Sequence, residues 1–203
     1  MKIKNAITVI ALTLGLAACM GSPTRPAQFY LLSPEPGQPV PTRAAATAPL
    51  SIGLGPVTLP EIYDRPQIVT RTDSNRINLA EFDRWGGDLN KDLTRTLAHN
   101  LMSRLNTDSV ALYPWPGRHK PDFQVSIRFF RLDGQLDSAV MLDGVWRILD
   151  GSRGCELAAR HFQYQQDTSG PGYPELVAAI SRGVARLSQE IAEQIAASET
   201  GCE

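Results

Sequence analysis

Two stretches of the chain carry apolar residues at helical spacing, and several others carry them in alternation. Leu89, Leu93, Leu97, Leu101 and Leu105 recur every fourth residue, and Ala98 and Met102 widen the stripe. That spacing lines one face of a helix and predicts one over residues 85–105. Asp88 and Asp92 suit its N-terminal end electrostatically, and Arg104 suits its last turn. A second stripe runs through Leu176, Ile180, Val184, Leu187, Ile191 and Ile195, with Val177 and Ala185 at its edges. It predicts a helix over residues 174–197, with Pro174 at the first position, where a missing N–H costs nothing.

The alternating segments read as strands. Apolar residues at 50, 52 and 54 predict a strand over 50–57 whose far face is rich in glycine. Residues 67–72 and 76–80 form a hairpin turning at Asp73-Ser-Asn75. Short strands are expected at 29–32 and 109–113, and three longer ones at 122–132, 138–149 and 155–166. In the first of these, Phe123, Val125, Ile127 and Phe129 oppose Gln124, Ser126 and Arg128; in the second, Val140, Leu142, Trp146 and Ile148 share a face. Short Asp/Gly turns join them, so they should form an antiparallel meander with one buried face. Residues 34–49 are a loop rich in proline and alanine, without periodicity. Together these elements give an α+β class: a single two-layer domain, a largely antiparallel sheet with two amphipathic helices.

The N-terminus follows a different pattern. Lys2 and Lys4 precede an uncharged, mostly apolar stretch over residues 6–16, closed by Leu16-Ala-Ala-Cys19. A short charged region, a short apolar run and small residues at a cleavage site make a secretory signal, too short to remain as a membrane span. An ordinary signal needs no cysteine at the cut. Leu-Ala-Ala-Cys matches the lipobox pattern, in which the cysteine thiol receives a diacylglycerol. The expected organisation is a lipoprotein signal peptide over 1–18, a lipidated tether over 19–28 with Pro23 and Pro26, and one folded domain over 29–203. Each buried CH₂ contributes about 0.8 kcal/mol, so two or three chains on Cys19 would make release negligible. No other apolar run approaches the roughly 18 residues of a spanning helix.

Removal of residues 1–18 takes two lysines with it and leaves 18 basic against 21 acidic residues. That weakly acidic balance argues against nucleic-acid or polybasic lipid binding. Cys155 and Cys202 remain, an even number in an oxidising compartment. A disulfide between them is the natural hypothesis; two free thiols are the alternative.

Catalytic motifs are absent from the sequence: there is no Gly-x-Ser-x-Gly, no Walker-type loop and no His-Glu-x-x-His. Gly53-Leu-Gly55 is followed by Pro56, whose ring removes a backbone donor where a phosphate cradle would need one. His99, His119 and His161 lack metal-ligand spacing. The reading is therefore a non-enzyme with no catalytic, cofactor or metal residues. What stands out is a set of aromatic, proline and arginine clusters: Leu59-Pro-Glu-Ile-Tyr-Asp-Arg-Pro66, Arg84-Trp85 and Tyr113-Pro-Trp-Pro116. Each is either a stiff packed loop or part of a partner surface, because aromatic residues and arginine dominate interface hot spots. Tyr63, Arg65, Trp85 and Trp115 are the candidates for such a surface.

These same residues carry a resemblance. Phe29-Tyr30-Leu31-Leu32, then Ile52-Gly-Leu-Gly-Pro-Val57 with Leu59-Pro-Glu-Ile-Tyr-Asp-Arg-Pro-Gln-Ile-Val69 and Arg71, resemble the ABC-type transport auxiliary lipoproteins. Arg84-Trp85 with Leu89, Pro114-Trp115, and Leu187-Ser-Gln-Glu-Ile191 continue the likeness in the family's order across nearly the whole mature chain. It is most similar to the PqiC (YmbA) branch. Gly86-Gly87 departs from the pattern and weakens the start of the first helix.

The resemblance implies a docking subunit that accompanies an MCE-domain protein in a system carrying phospholipids between membranes, and that supports membrane integrity. Met20 is not the aspartate that retains lipoproteins in the inner membrane, so an outer-membrane position facing the periplasm is expected. A homo-oligomeric ring capping a hollow MCE assembly is compatible with this. Two other classes stay open: a structural lipoprotein assisting outer-membrane assembly, and a periplasmic hydrolase using His161 or a nearby carboxylate.

Overall fold

A computed structural model describes residues 25–41, 50–115 and 120–198. The signal segment, Cys19, His119 and Cys202 lie outside the described residues. Among the described residues, eight strands and two helices follow one another as β1 (Gln28–Tyr30), β2 (Ile52–Thr58), β3 (Gln67–Arg71), β4 (Ile77–Trp85), α1 (Leu89–Leu105), β5 (Val110–Leu112), β6 (Phe123–Gln135), β7 (Ala139–Asp150), β8 (Glu156–Asp167) and α2 (Gly172–Ala197). One 3₁₀ turn, Glu61–Tyr63, sits between β2 and β3.

The β6–β7–β8 meander forms as the alternation requires. β6 pairs antiparallel with β7 from Phe123↔Asp150 to Gln135↔Ala139, and β7 pairs antiparallel with β8 along a similar length. The other edge of β6 is shared. β2 lies parallel to its first half, from Ile52↔Phe123 to Thr58↔Arg128, while β3 meets its far end at Thr70↔Gly134. The sheet therefore forks into a β2–β5 arm and a β3–β4–β1 arm, and the order is β1-β4-β3-β6-β2-β5 with β7 and β8 beyond β6. Parallel pairs are confined to these arms, so the architecture is a single α+β domain with a mixed, largely antiparallel sheet packed against two helices.

Three boundaries differ from the expectation. β4 runs on to Trp85, and α1 starts at Leu89 rather than at residue 85. Gly86 and Gly87 separate them, and Asp88 caps the helix by accepting a 3.0 Å bond from the Lys91 N–H. Asn106, at φ 49°, ends it in the left-handed conformation, which asparagine tolerates. α2 opens at Gly172, so Pro174 is the third helical residue rather than the first. It is still within the turn whose N–H groups have no intrahelical partner, so the ring does no harm. Finally, Leu31 and Leu32 leave the sheet instead of extending β1.

Both helices lie on one face of the sheet. Leu93, Leu97 and Leu101 of α1, with Leu176, Val184, Leu187 and Ile191 of α2, are buried with Trp146, Leu142, Ile148 and Phe129 of the strands. Gly183 permits the close approach of α2, because a Cβ there would stand 2.5 Å from Cδ1 of Leu142.

Residues 32–40 form an extended strap held by the helix layer rather than by the sheet. Asp92 accepts from the Leu32 N–H at 2.7 Å, and Ser181 from the Ser33 N–H at 3.2 Å. Asn100 accepts from the Glu35 N–H at 2.9 Å. The Arg104 guanidinium donates to the Glu35 carbonyl at 2.9 Å, and the Val40 N–H donates to the Arg104 carbonyl at 2.7 Å. A buried backbone needs such partners, which accounts for four polar residues buried on otherwise apolar helix faces.

Candidate partner surface

The four aromatic and arginine candidates do not share one surface. Tyr63 is 3 % exposed and Trp85 is 6 % exposed, so both rings belong to the core. Tyr63 closes the 3₁₀ turn after β2 and donates from its hydroxyl to Asp133 Oδ2 at 2.9 Å. Asp133 also accepts from Arg71 Nε at 2.8 Å and from Arg131 Nε at 2.6 Å. Burial, followed by Asp133, raises the Tyr63 phenol to about 12 against a hydrogen bond with the Leu132 backbone that lowers it. Trp85 ends β4, and its backbone N–H donates to the Pro66 carbonyl at 2.7 Å.

Arg65 is half-buried directly after the turn, and its Nε is enclosed without a hydrogen-bond partner. Trp115 is also half-buried. Its ring meets Tyr113 edge-on at 5.3 Å between centroids and lies over Gly53, where a Cβ would come within 3.1 Å of it. The glycine-rich far face of β2 thus has a steric reason. Cys155 is half-buried just before β8, while Cys202 and Cys19 lie outside the described residues.

The exposed chemistry lies on the face of the sheet that the helices leave open. A cleft of about 310 Å³ is lined there by Pro56 and Thr58 of β2, Ser126, Arg128 and Phe130 of β6, and Val145 and Arg147 of β7. The pleat explains the grouping. Arg128 pairs with Val145 and Ser126 with Arg147, so these side chains share a face, opposite the buried Val125 and Ile127. Phe130 follows the last buried residue before a bulge between Phe129 and Arg131, and it is 50 % exposed. Arg147 is engaged with Glu156 at 2.6 Å. His161 and Asp143 make a further exposed pair at 2.6 Å on the same strands. Alternation puts Gln124, Ser126 and Arg128 on the far face of β6, and Phe130 continues that face up to the bulge. Among the described residues, no cluster of His, Cys, Asp or Glu could hold a metal ion, and no helix is long and apolar enough to cross a membrane.

One face of the sheet is thus packed under the helices, and the other is left open, with Arg128, Phe130 and Arg147 on it. The family model for the ABC-type transport auxiliary lipoprotein component matches residues 30–192, and the chain belongs to that family. It is thus a lipoprotein component of an ABC-type transport system, which implies transporter partners, attachment to a membrane and a non-catalytic role.

Similar folds occur in solved structures. A crystal structure of a protein described as uncharacterized aligns with a TM-score of 0.69 at 21% identity, covering 84% of this chain and 99% of that one. A Xanthomonas campestris protein aligns with a TM-score of 0.68 at 18% identity, covering 84% and 97%. The PelC dodecamer from Paraburkholderia phytofirmans is more distant, at a TM-score of 0.41 and 12% identity over 79% and 96%. No curated protein matches the chain.

Proposed function

We propose that this lipoprotein is the outer-membrane subunit of an MCE-type, Pqi-like intermembrane phospholipid transport system. It docks the MCE assembly at the outer membrane and thereby supports membrane integrity. Acyl chains on Cys19 hold it there, facing the periplasm, and its role is binding rather than catalysis. The observation that carries the docking role is the open sheet face, where half-exposed Phe130 lines one cleft with Arg128 and Arg147. An exposed aromatic beside arginines has the composition of an interface centre rather than of an ordinary solvated strand.

The test is co-purification of the lipidated protein with an MCE-domain protein of the same organism. The double variant Arg128→Glu, Phe130→Ser should weaken that capture by about 10-fold or more, the size expected when an interface anchor is lost. Unchanged capture would remove the face from the docking role. Capture of a barrel or an envelope-assembly machine, with no MCE protein, would favour a structural role in outer-membrane assembly instead. Cys19→Ala should leave the domain folded but release it and abolish transport-linked function; full complementation by the released form would overturn the anchoring part.

A further inference from the structure

Exposed apolar side chains of the β3–β4–β1 arm lie on its helix-free side, Phe29 and Leu31 level with the end of β4 and Ile77 and Leu79 at its start. Phe29 is 67 % exposed and Leu31 is 56 % exposed, and Ile77 and Leu79 of β4 are exposed as well. The contacts fix which side they face. Tyr30, between Phe29 and Leu31, turns toward the helix layer and donates to Asp83 Oδ1 at 2.7 Å. Alternation along β1 then sends Phe29 to the opposite side, and Leu31 rests over Gly86. Ile77 pairs with Arg71 and Leu79 with Val69, placing both on the side of the Asp133 cluster that Arg71 joins. An edge strand normally carries charge or is covered, so an apolar edge calls for a partner.

The register of β1 indicates what covers it. β1 runs parallel to β4, with Gln28 opposite Asp83. Traced backward, the chain therefore heads along β4 in the direction of Leu79 and Ile77, and the Arg25 guanidinium lies 3.6 Å from Asp83. From Arg25 to Cys19 is six residues, a span of at most about 20 Å even when fully extended. A lipid on Cys19 thus brings a bilayer within that distance of this apolar edge.

We infer that the helix-free side of the β1–β4 edge, bearing Phe29, Leu31, Ile77 and Leu79, rests in the interfacial layer of the membrane that carries the anchor. The inference rests on acylation of Cys19 as proposed above. Contact there fixes the orientation of the domain, with β1 and β4 nearest the bilayer and the Arg128–Phe130 cleft, across β3 on β6, farther from it. Arg84 lies opposite Phe29 and Arg71 opposite Ile77, so the apolar side chains are flanked by cationic ones.

The test uses full-length lipidated protein in vesicles of phosphatidylethanolamine and phosphatidylglycerol, part of the phosphatidylethanolamine carrying bromine on its acyl chains. Phe29→Trp and Leu79→Trp add one emitter each to the arm, and Phe130→Trp adds one to the cleft. Subtraction of the unsubstituted protein removes Trp85, Trp115 and Trp146. The expected result is loss of most of the added emission at positions 29 and 79, with none at 130. Vesicle-bound protein whose emission at 29 and 79 is unquenched, or is quenched equally at all three positions, overturns the inference while leaving the anchor intact. Protein that lacks the diacylglyceryl mass on Cys19 and does not float with the vesicles overturns both.

Discussion

The hydroxyl of Tyr63 donates a 2.9 Å hydrogen bond to Asp133 across 70 residues of sequence, and both groups are buried. The carboxylate is also gripped by Arg71 and Arg131, so a single side chain of β6 joins the 3₁₀ turn after β2, the end of β3 and β6 itself. These are the elements that meet where the sheet forks. Asp133 therefore acts as the pin between the two arms.

Removal of the pin should cost more than removal of the phenol. Tyr63→Phe deletes one bond to a charged acceptor that keeps two others, a loss of about 1.5 kcal/mol. Asp133→Ala strands two guanidiniums, each about a third exposed. Because both reach water, the cost should be about 2–3 kcal/mol rather than the full figure for a buried pair. Urea unfolding midpoints at constant slope check the ordering, and equal losses would show that Asp133 is not the shared element.

The same phenol gives a pH dependence with a definite sign. Tyr63 ionises near 10 when free and is pushed up to about 12 in the fold, first by burial; Tyr30 behaves alike, raised by burial and by Asp83. Above about pH 10 the unfolded chain loses these protons and the folded chain does not, so unfolding is favoured. The stabilisation is complete below pH 10 and is lost as the pH rises toward 12. Melting temperatures measured across that window should fall, and Tyr63→Phe should flatten the decline. A profile that Tyr63→Phe leaves unaltered would mean that the phenol titrates freely.

How much of this was legible in the sequence depends on whether the residues concerned act locally. The leucine stripe from 89 to 105 and the alternation of Phe123, Val125, Ile127 and Phe129 are local signals, and they located α1 and β6. The Gly86-Gly87 break marks the start of α1, but a stripe does not show where its own capping residue lies. The fork of the sheet is non-local: it depends on β2 and β3 sharing one edge of β6, and alternation carries no such information. Tyr63 and Trp85 were visible as unusual residues, but aromatic residues serve cores and interfaces alike. Only the position of Asp133 turns Tyr63 inward. Phe130 continues the face of Ser126 and Arg128 by plain alternation, but an aromatic residue carries no local sign that it stays exposed; the bulge exchanges the two faces only beyond it, where Leu132 is buried.

The strap offers a local test. Leu32 is buried, and its N–H has Asp92 as acceptor at 2.7 Å. Asp92→Ala should leave that donor unpaired, at a cost of about 1–3 kcal/mol. Because Ser181, Asn100 and Arg104 still hold the segment further along, the effect should be graded rather than a release of the whole strap. Amide hydrogen exchange should quicken at Leu32 and Ser33, less at Glu35, and not at Val40. Uniform quickening throughout the domain would instead indicate that Asp92 supports α1 itself, where it also pairs with Arg95.

The last prediction concerns Cys155. This residue stands where the β7–β8 turn becomes β8, and its carbonyl accepts from the Asp150 N–H at 2.9 Å. α2 ends at Ala197, five residues before Cys202. In an oxidising compartment a Cys155–Cys202 bond would tie the end of α2 to the meander it covers, closing a long loop. Closure of such a loop restricts the unfolded chain and stabilises the fold by about 2–4 kcal/mol. Cys155→Ser and Cys202→Ser should then lower the unfolding midpoint by similar amounts, and the double variant should do no worse than either single one, because each already removes the whole bond. Non-reducing peptide mapping should recover the two cysteines in one linked peptide; recovery of both as free thiols would end the proposal.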